Sequence, residues 1–332
     1  MLSQLDCTEK CIYRTTKLFH RRCKMAKKFK IAWAMNPFDE DENVFLRSIE
    51  LLKLLNKKKE IIVVPTFVLS PETLKWAGDL PKKDLQHFAP QALSKMEHWT
   101  KKLKNIHHSL PHIIFNTKVS TTRDVKAINH FAIKNSVDLI LCANHTRSDL
   151  SRMFLGSFTE SLLMVSKVPL LIVPNRKEKI TSLGNVAFPV DLINNQSASF
   201  KKLGDFVSTF GSKLTLLHKI PTPIDPLLQN SSYLMGGGWI SVGEFFKLDI
   251  GQRKQRLNKL KEKMASYGVK AKVELLSDPG SIAESVQNYK EAKRINLIAL
   301  NTSAKTKTTY FLGSVARAIT KEVDCPIWIF HT

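Results

Sequence analysis

Two glycine-serine pairs, Gly156-Ser157 and Gly313-Ser314, each open a helix-length stretch that runs into a short apolar strand. The first copy reads Phe154-Leu155-Gly156-Ser157 and leads to Val168-Pro169-Leu170-Leu171-Ile172-Val173. The second reads Phe311-Leu312-Gly313-Ser314 and leads to Cys325-Pro326-Ile327-Trp328-Ile329-Phe330. The chemistry such a pair can do is anion binding. The first N–H groups of a helix have no partner within it, its dipole is positive at that end, and glycine lets a phosphate approach the backbone. The same pattern written twice predicts a tandem repeat of one α/β unit.

The elements that must position these pairs follow from hydrophobic periodicity. In the first half, strands are expected at Phe29 to Met35, Glu60 to Phe67, His112 to Val119, Val137 to Cys142 and Leu170 to Pro174. Helices are expected at Asn43 to Asn56, Lys82 to Ile106, Thr122 to Asn135 and Ser151 to Ser166. Residues 175–184 are polar and read as a linker. The second half repeats the order, with strands at Val186 to Val190, Lys213 to His218, Val269 to Leu276, Leu297 to Leu300 and Ile327 to Phe330. A Pro- and Gly-rich loop from Ile220 to Gly238 interrupts it. Helical crossovers between short strands imply parallel neighbours, so the fold class is α/β: two similar doubly wound, open, parallel five-stranded sheets of Rossmann-like type. The strand order expected in each is 3-2-1-4-5. The expected divisions are 1–24, 25–174, 175–184 and 185–332.

Composition fits two soluble domains. The chain has 332 residues, 43% of them hydrophobic and 24% charged, and no apolar run long enough to span a membrane. Without an apolar leader after Met1, the cytoplasm is the expected compartment. Lys and Arg number 51 against 29 Asp and Glu, a net charge of +22 that would attract polyanions without specificity. The lysines are spread along helices, and no nucleic-acid motif accompanies them. Residues 1–24 carry Cys7, Cys11 and Cys23 among basic side chains and have no counterpart in the second half. They read as a basic tail or a mis-called start ahead of Met25. Cys142 and Cys325 fall in or beside strands and are expected to be free core thiols.

The stretch from Leu141 to Ser157, with His145, Arg147-Ser148, a nine-residue gap and the closing Gly156-Ser157, resembles the universal stress proteins in their tandem-domain form. That family's loop is patterned Gly-x2-Gly-x9-Gly-Ser/Thr, and each of its domains begins with a strand ending in an aspartate. Val186-Ala187-Phe188-Pro189-Val190-Asp191 matches the latter, whereas the first half has Asn36 in that place. The two leading glycines are replaced by Ala143 and Thr146 in the first half and by Asn301 and Ala304 in the second. One residue is also missing from the second loop. The resemblance therefore implies ATP or a related adenine nucleotide at the second half, with Asp191 toward the ribose or adenine and Asn301, Gly313 and Ser314 toward phosphate. It implies a degenerate site at Gly156 and Ser157 of the first half. The opposing implication is a nucleotide-free scaffold for protein or polyanion partners, in which the Gly-Ser pairs only cap helices. Family members pair through their final strands, so the two halves are expected to form an intramolecular dimer through Leu170–Val173 and Ile327–Phe330.

Other features imply no catalysis. His107, His108 and His112 lack metal-ligand partners at suitable spacing and read as a solvated helix end. Gly236-Gly237-Gly238 lacks the Lys-Ser/Thr of a phosphate-binding Walker loop and reads as slack or a lid. Ser157 and His145 have no orienting acid, and only Asp149 could hold a metal near the first loop, so an enzyme is not expected beyond weak ATP hydrolysis.

Overall fold

The computed structural model describes residues 28–74, 82–144, 157–174, 178–192, 197–220, 232–235, 238–304, 310–311 and 313–331. The first half runs β1 (Phe29–Ala34), α1 (Glu42–Asn56), β2 (Ile61–Leu69), a 3-10 turn (Lys82–Phe88), α2 (Ala89–Thr100), β3 (His107–His108), β4 (His112–Phe115), α3 (Thr121–Lys134), β5 (Leu139–Ala143), α4 (Ser157–Val165) and β6 (Leu170–Val173). The second runs β7 (Asn185–Pro189), α5 (Ser197–Phe210), β8 (Lys213–Lys219), β9 (Ser232–Met235), β10 (Gly238–Ser241), α6 (Val242–Ser266), β11 (Ala271–Leu276), α7 (Ile282–Lys293), β12 (Leu297–Ala304), β13 (Tyr310–Phe311), α8 (Ser314–Glu322) and β14 (Ile327–His331).

The strand order is β11-β8-β7-β12-β14 in the second half and β6-β5-β1-β2 followed by β3 and β4 in the first. Each half thus has the order 3-2-1-4-5 with parallel neighbours. β6 and β14 are antiparallel, with Ile172 opposite Ile327 and Leu170 opposite Ile329, so the halves are continuous in one twelve-stranded sheet. Apolar side chains of α1, α2, α5 and α6 cover one face of that sheet, and those of α3, α4, α7 and α8 the other. A parallel sheet covered on both faces must be apolar on both, and β5 and β6 are buried at every position. At the junction Trp328 stacks on Phe206 at 4.0 Å and on Phe330 at 4.3 Å.

Two helix starts are held by side-chain caps. The Asp41 carboxylate accepts from Asn43 N–H at 3.0 Å ahead of α1, and Ser281 and Glu284 form a reciprocal capping box ahead of α7.

Four expectations are corrected. The third strand of the first half is not one run from His112 to Val119: it comes in two pieces, His107–His108 against Ile62–Val63 and His112–Phe115 against Thr66–Leu69. The break faces Pro65 of β2 and contains Pro111; neither has the N–H a ladder needs there. His107, His108 and His112 therefore lie in edge strands and not at a helix end, and His107 Nε2 stands 3.3 Å from Glu60 Oε1. The long helix from Lys82 to Ile106 is a 3-10 turn followed by α2, because Pro90 sits in the first turn of α2 and cannot continue a preceding α-helix. The loop from Ile220 to Gly238 contains β9, which pairs antiparallel with β10, Tyr233 opposite Ile240. The fourth strand of the second half continues past Leu300 to Ala304.

Cys142 and Cys325 are buried thiols, and burial pushes the Cys142 thiol up to about 12. Trp328 tests the shared core. Replacing it with Ala removes the side chain that joins α5 to the central strands and is expected to cost about 3–5 kcal/mol in urea unfolding.

Candidate functional site

β7 is the strand at which the second half reverses its order, with β8 on one side and β12 on the other. It stays in register with β8 from Asn185–Lys213 to Pro189–Leu217, and Val190 N–H then donates to Leu217 O at 2.7 Å. With β12 it pairs only at Val186–Leu297 and Ala187–Ile298. The carboxyl ends of strands at such a reversal of order are where ligands of open α/β sheets bind.

Asp191 follows β7 at this end and is exposed. The Val190 carbonyl accepts from His218 Nδ1 at 2.9 Å, and His218 Nε2 lies 2.8 Å from Arg253 NH1. Because a carbonyl can only accept and a guanidinium can only donate, these partners assign the proton to Nδ1 and leave Nε2 as acceptor. Arg253 Nε is itself held by Asp249 Oδ2 at 2.6 Å. Burial, with the Arg253 charge beside it, lowers the His218 pKa below the usual histidine value, against the Val190 carbonyl and the more distant Asp191 and Asp249 carboxylates.

On the β12 side, Asn301 donates its side-chain amide to Ser199 Oγ at 3.0 Å, and Ser199 is completely buried in the first turn of α5. Its neighbour Thr302 shares a hydrogen bond with His331 Nδ1, and Lys202 Nζ donates to the His331 carbonyl. Burial, then the Lys202 charge, brings the His331 pKa down to about 4. Gly313 caps α8 with φ −54° and no side-chain hydrogen bond, and Ser314 opens the helix as an exposed residue. A Cβ added at Gly313 would meet no heavy atom of a described residue within 4 Å. Neither its dihedral nor its described packing requires glycine.

Asp191, Asn301, Gly313 and Ser314 thus belong to the carboxyl end of the same half-sheet. Asn301 and Ala304, placed by the sequence in a loop, are instead strand residues. Without the two glycines nothing forces the chain to turn, and Asn301–Thr302 stay in register with Phe330–His331 while Ser303–Ala304 pair with Phe311–Tyr310. In the first half Asn36 bends its own turn, its Oδ1 accepting from Phe38 N–H at 3.2 Å. Ser157 opens α4, and Thr159 fastens that helix to β5 through the Ala143 carbonyl at 3.0 Å. Gly156, His145, Thr146, Arg147 and Ser148 lie outside the described residues. Among the described residues no group of three or more His, Cys, Asp and Glu could hold a metal ion, and no helix is long and apolar enough to cross a membrane.

His218, Arg253, Asp249 and Ser199 were not singled out in the sequence. A histidine closing the apolar strand Leu214–Leu217 was a legible sign, because a polar side chain at a strand's carboxyl end faces the ligand crevice. Arg253 gave none, being one of many basic residues in α6.

The model of the universal stress protein family matches residues 30–174 and again 183–331. The chain belongs to the universal stress protein family. A universal stress protein of Archaeoglobus fulgidus is similar over 91% of this chain and 98% of that one, with TM-score 0.60 and 15% identity, a likeness of fold across both halves. A second structure from that organism, a universal stress protein in complex with dAMP, covers 44% of this chain and 96% of that one, with TM-score 0.33 and 14% identity. A universal stress protein of Methanocaldococcus jannaschii is 33% identical over 94 residues; the match takes in 28% of this chain and about half the length of that relative, 52%.

The buried histidine at the chain's end gives a pH test. His331 is only 4% exposed and stays neutral in the native state down to about pH 4, whereas in the unfolded chain it protonates near 6.5. The stability this group contributes is fully present above 6.5 and is lost as pH falls toward 4, by about 3 kcal/mol. Urea titrations from pH 7 to 4 should show that loss, and His331→Asn should reduce it.

Proposed function

We propose that this protein is a stress-response binding protein of the cytoplasm, not an enzyme, whose second half takes an adenine nucleotide. The observation that carries the reading is Gly313: a glycine at a helix start, in a conformation open to any residue, with no heavy atom of a described residue within 4 Å of where a Cβ would stand. Such a position suits a group that approaches the backbone from outside, and the first N–H groups of a helix, which have no partner within it, favour an anion there. Asp191 at the end of β7 would accept from the ribose or adenine. The first half, where Asn36 is engaged in its own turn, would hold a degenerate site at Gly156 and Ser157.

The domain limits proposed are 25–174 and 185–332, joined by residues 175–184. The antiparallel register of β6 with β14 supports the two units pairing with each other as an intramolecular dimer.

A nucleotide-free scaffold for protein or polyanion partners is the second reading, favoured by the net charge of +22 and by the engagement of Asn301 with Ser199. Mass spectrometry of small molecules released gently from the purified protein separates the two: an adenine nucleotide supports the first, an empty protein the second. By calorimetry, Asp191→Ala should weaken nucleotide binding by about tenfold, roughly the 1.4 kcal/mol of one good hydrogen bond to a charged group. Unchanged affinity would remove Asp191 from the site.

A further inference from the structure

Lysines that look evenly spread along the sequence are gathered by the fold in one place. The turn after α1 reads Lys57-Lys58-Lys59, one helical turn beyond Lys53, and the turn after α2 reads Lys101-Lys102-Leu103-Lys104. From these turns the chain enters β2 and β3, parallel neighbours with Ile62 opposite His107, so both turns stand at the amino end of one strand pair. Asn56 ties them together, its side-chain amide donating to the Asn105 carbonyl at 3.4 Å, and the helices behind them are joined by the Phe45–Trp99 stack at 4.4 Å. Lys58 Nζ also stands 3.8 Å from the position a Cβ would take at Gly211, which adds the second-half turn that carries the exposed Lys213.

The chemistry of this rim is narrow. Lys53, Lys57, Lys58, Lys101 and Lys104 are exposed. Neither turn contains an acid: none occurs from Leu51 to Lys59 or from Lys101 to Arg123. Glu60, at the foot of β2, is held by Lys28 at 2.5 Å and lies 3.3 Å from His107. The aromatic rings beneath are covered, Trp99 by Lys102 Nζ at 3.8 Å and Phe29 by Lys59 Nζ at 5.4 Å, and Trp99 is only 6% exposed. Leu103, the apolar residue within the second turn, is buried.

These features choose among acidic partners. An anionic bilayer is held by apolar side chains inserted beside the charges, and a single nucleic-acid strand by bases stacked on open aromatic rings. The centre of a protein interface is poor in lysine and rich in aromatics and arginine. A nucleic-acid duplex needs none of these: point charges neutralise its phosphates, and lysine, lacking the guanidinium fork, does so without reading bases. We infer that the lysine rim formed by the turns after α1 and α2 docks a nucleic-acid duplex through its phosphate backbone, whatever the base sequence. This docking is one case of the polyanion reading above, on which it rests, and it is independent of a nucleotide in the second half.

Fluorescence anisotropy of the full chain with labelled DNA duplexes of about twenty base pairs, from about 50 to about 200 mM salt, tests it. Two duplexes of unrelated sequence are expected to bind within about threefold of each other, and the slope of log affinity on log salt to be about −4 to −5, as for about five neutralised phosphates. The combined variant Lys57→Gln, Lys58→Gln, Lys101→Gln, Lys104→Gln should lose about tenfold or more in affinity at about 100 mM salt and flatten the slope by about 3 to 4. A control, Lys247→Gln, Lys254→Gln, Lys259→Gln, Lys261→Gln, takes the same charge from exposed lysines of α6 and should lose less than about threefold. Equal losses in the two variants would overturn the rim. Tighter binding to a single strand, or to vesicles of phosphatidylserine and phosphatidylcholine, would overturn the duplex and leave the polyanion reading standing; no binding to any of the three would overturn that reading too. Acetylation of the wild-type chain, read by mass spectrometry, needs no variant: the duplex should shield Lys57, Lys58, Lys101 and Lys104 and leave Lys254 and Lys259 reactive, and uniform shielding would overturn the rim.

Discussion

The last strand carries the architecture. β14 has a partner on each side: Ile327, Trp328 and Ile329 face Ile298, Ala299 and Leu300 in parallel register and Ile172, Leu171 and Leu170 in antiparallel register. All of its residues are buried. A strand saturated on both sides has no exposed N–H or C=O to tolerate a slip, and a shift of one residue would turn Trp328 and Phe330 from one helical layer to the other. Because Trp328 also stacks on Phe206 of α5, the position of the second half's first helix depends on the strand that touches the first half.

The two halves share a plan but differ where chemistry would occur. Each places the start of its fourth helix near the carboxyl ends of its central strands. In the first half β1 and β5 remain paired as far as Ala34–Cys142, and the residue after β1 folds back on itself through Asn36. In the second half β7 leaves β12 after two pairs, and an acid follows the strand. The two halves therefore differ in pairing length as well as in the count of lost glycines. His218, Arg253, Asp249 and Asp191 gather at that end of β7 and β8.

Much of this was legible in the sequence because repetition and periodicity are local. The parallel pairing of neighbours follows from helical crossovers between apolar runs, and the correspondence of the two halves from the repeated Gly-Ser and Val-Pro or Cys-Pro patterns. What escaped depends on partners far along the chain. The break in the third strand reflects a proline in its neighbour β2, about forty-five residues earlier, and no window around His107 contains it. The extension of β12 through Ala304 needs both β13 and β14 as partners, and the His218–Arg253 contact spans 35 residues. The β9–β10 pair was hidden by glycines that suggested irregular chain.

The interrupted third strand has a further consequence for the assembly's outer margin. A sheet this wide has two free borders, and a straight, fully bonded border strand is a template onto which another chain can add. On the first-half side, β3 and β4 are short, separated by a segment containing Pro111, and β3 is exposed and histidine-bearing. A newcomer would find neither a continuous row of donors nor a flat apolar strip, so growth by stacking sheets edge to edge is discouraged on that flank by the same prolines that shape the strand.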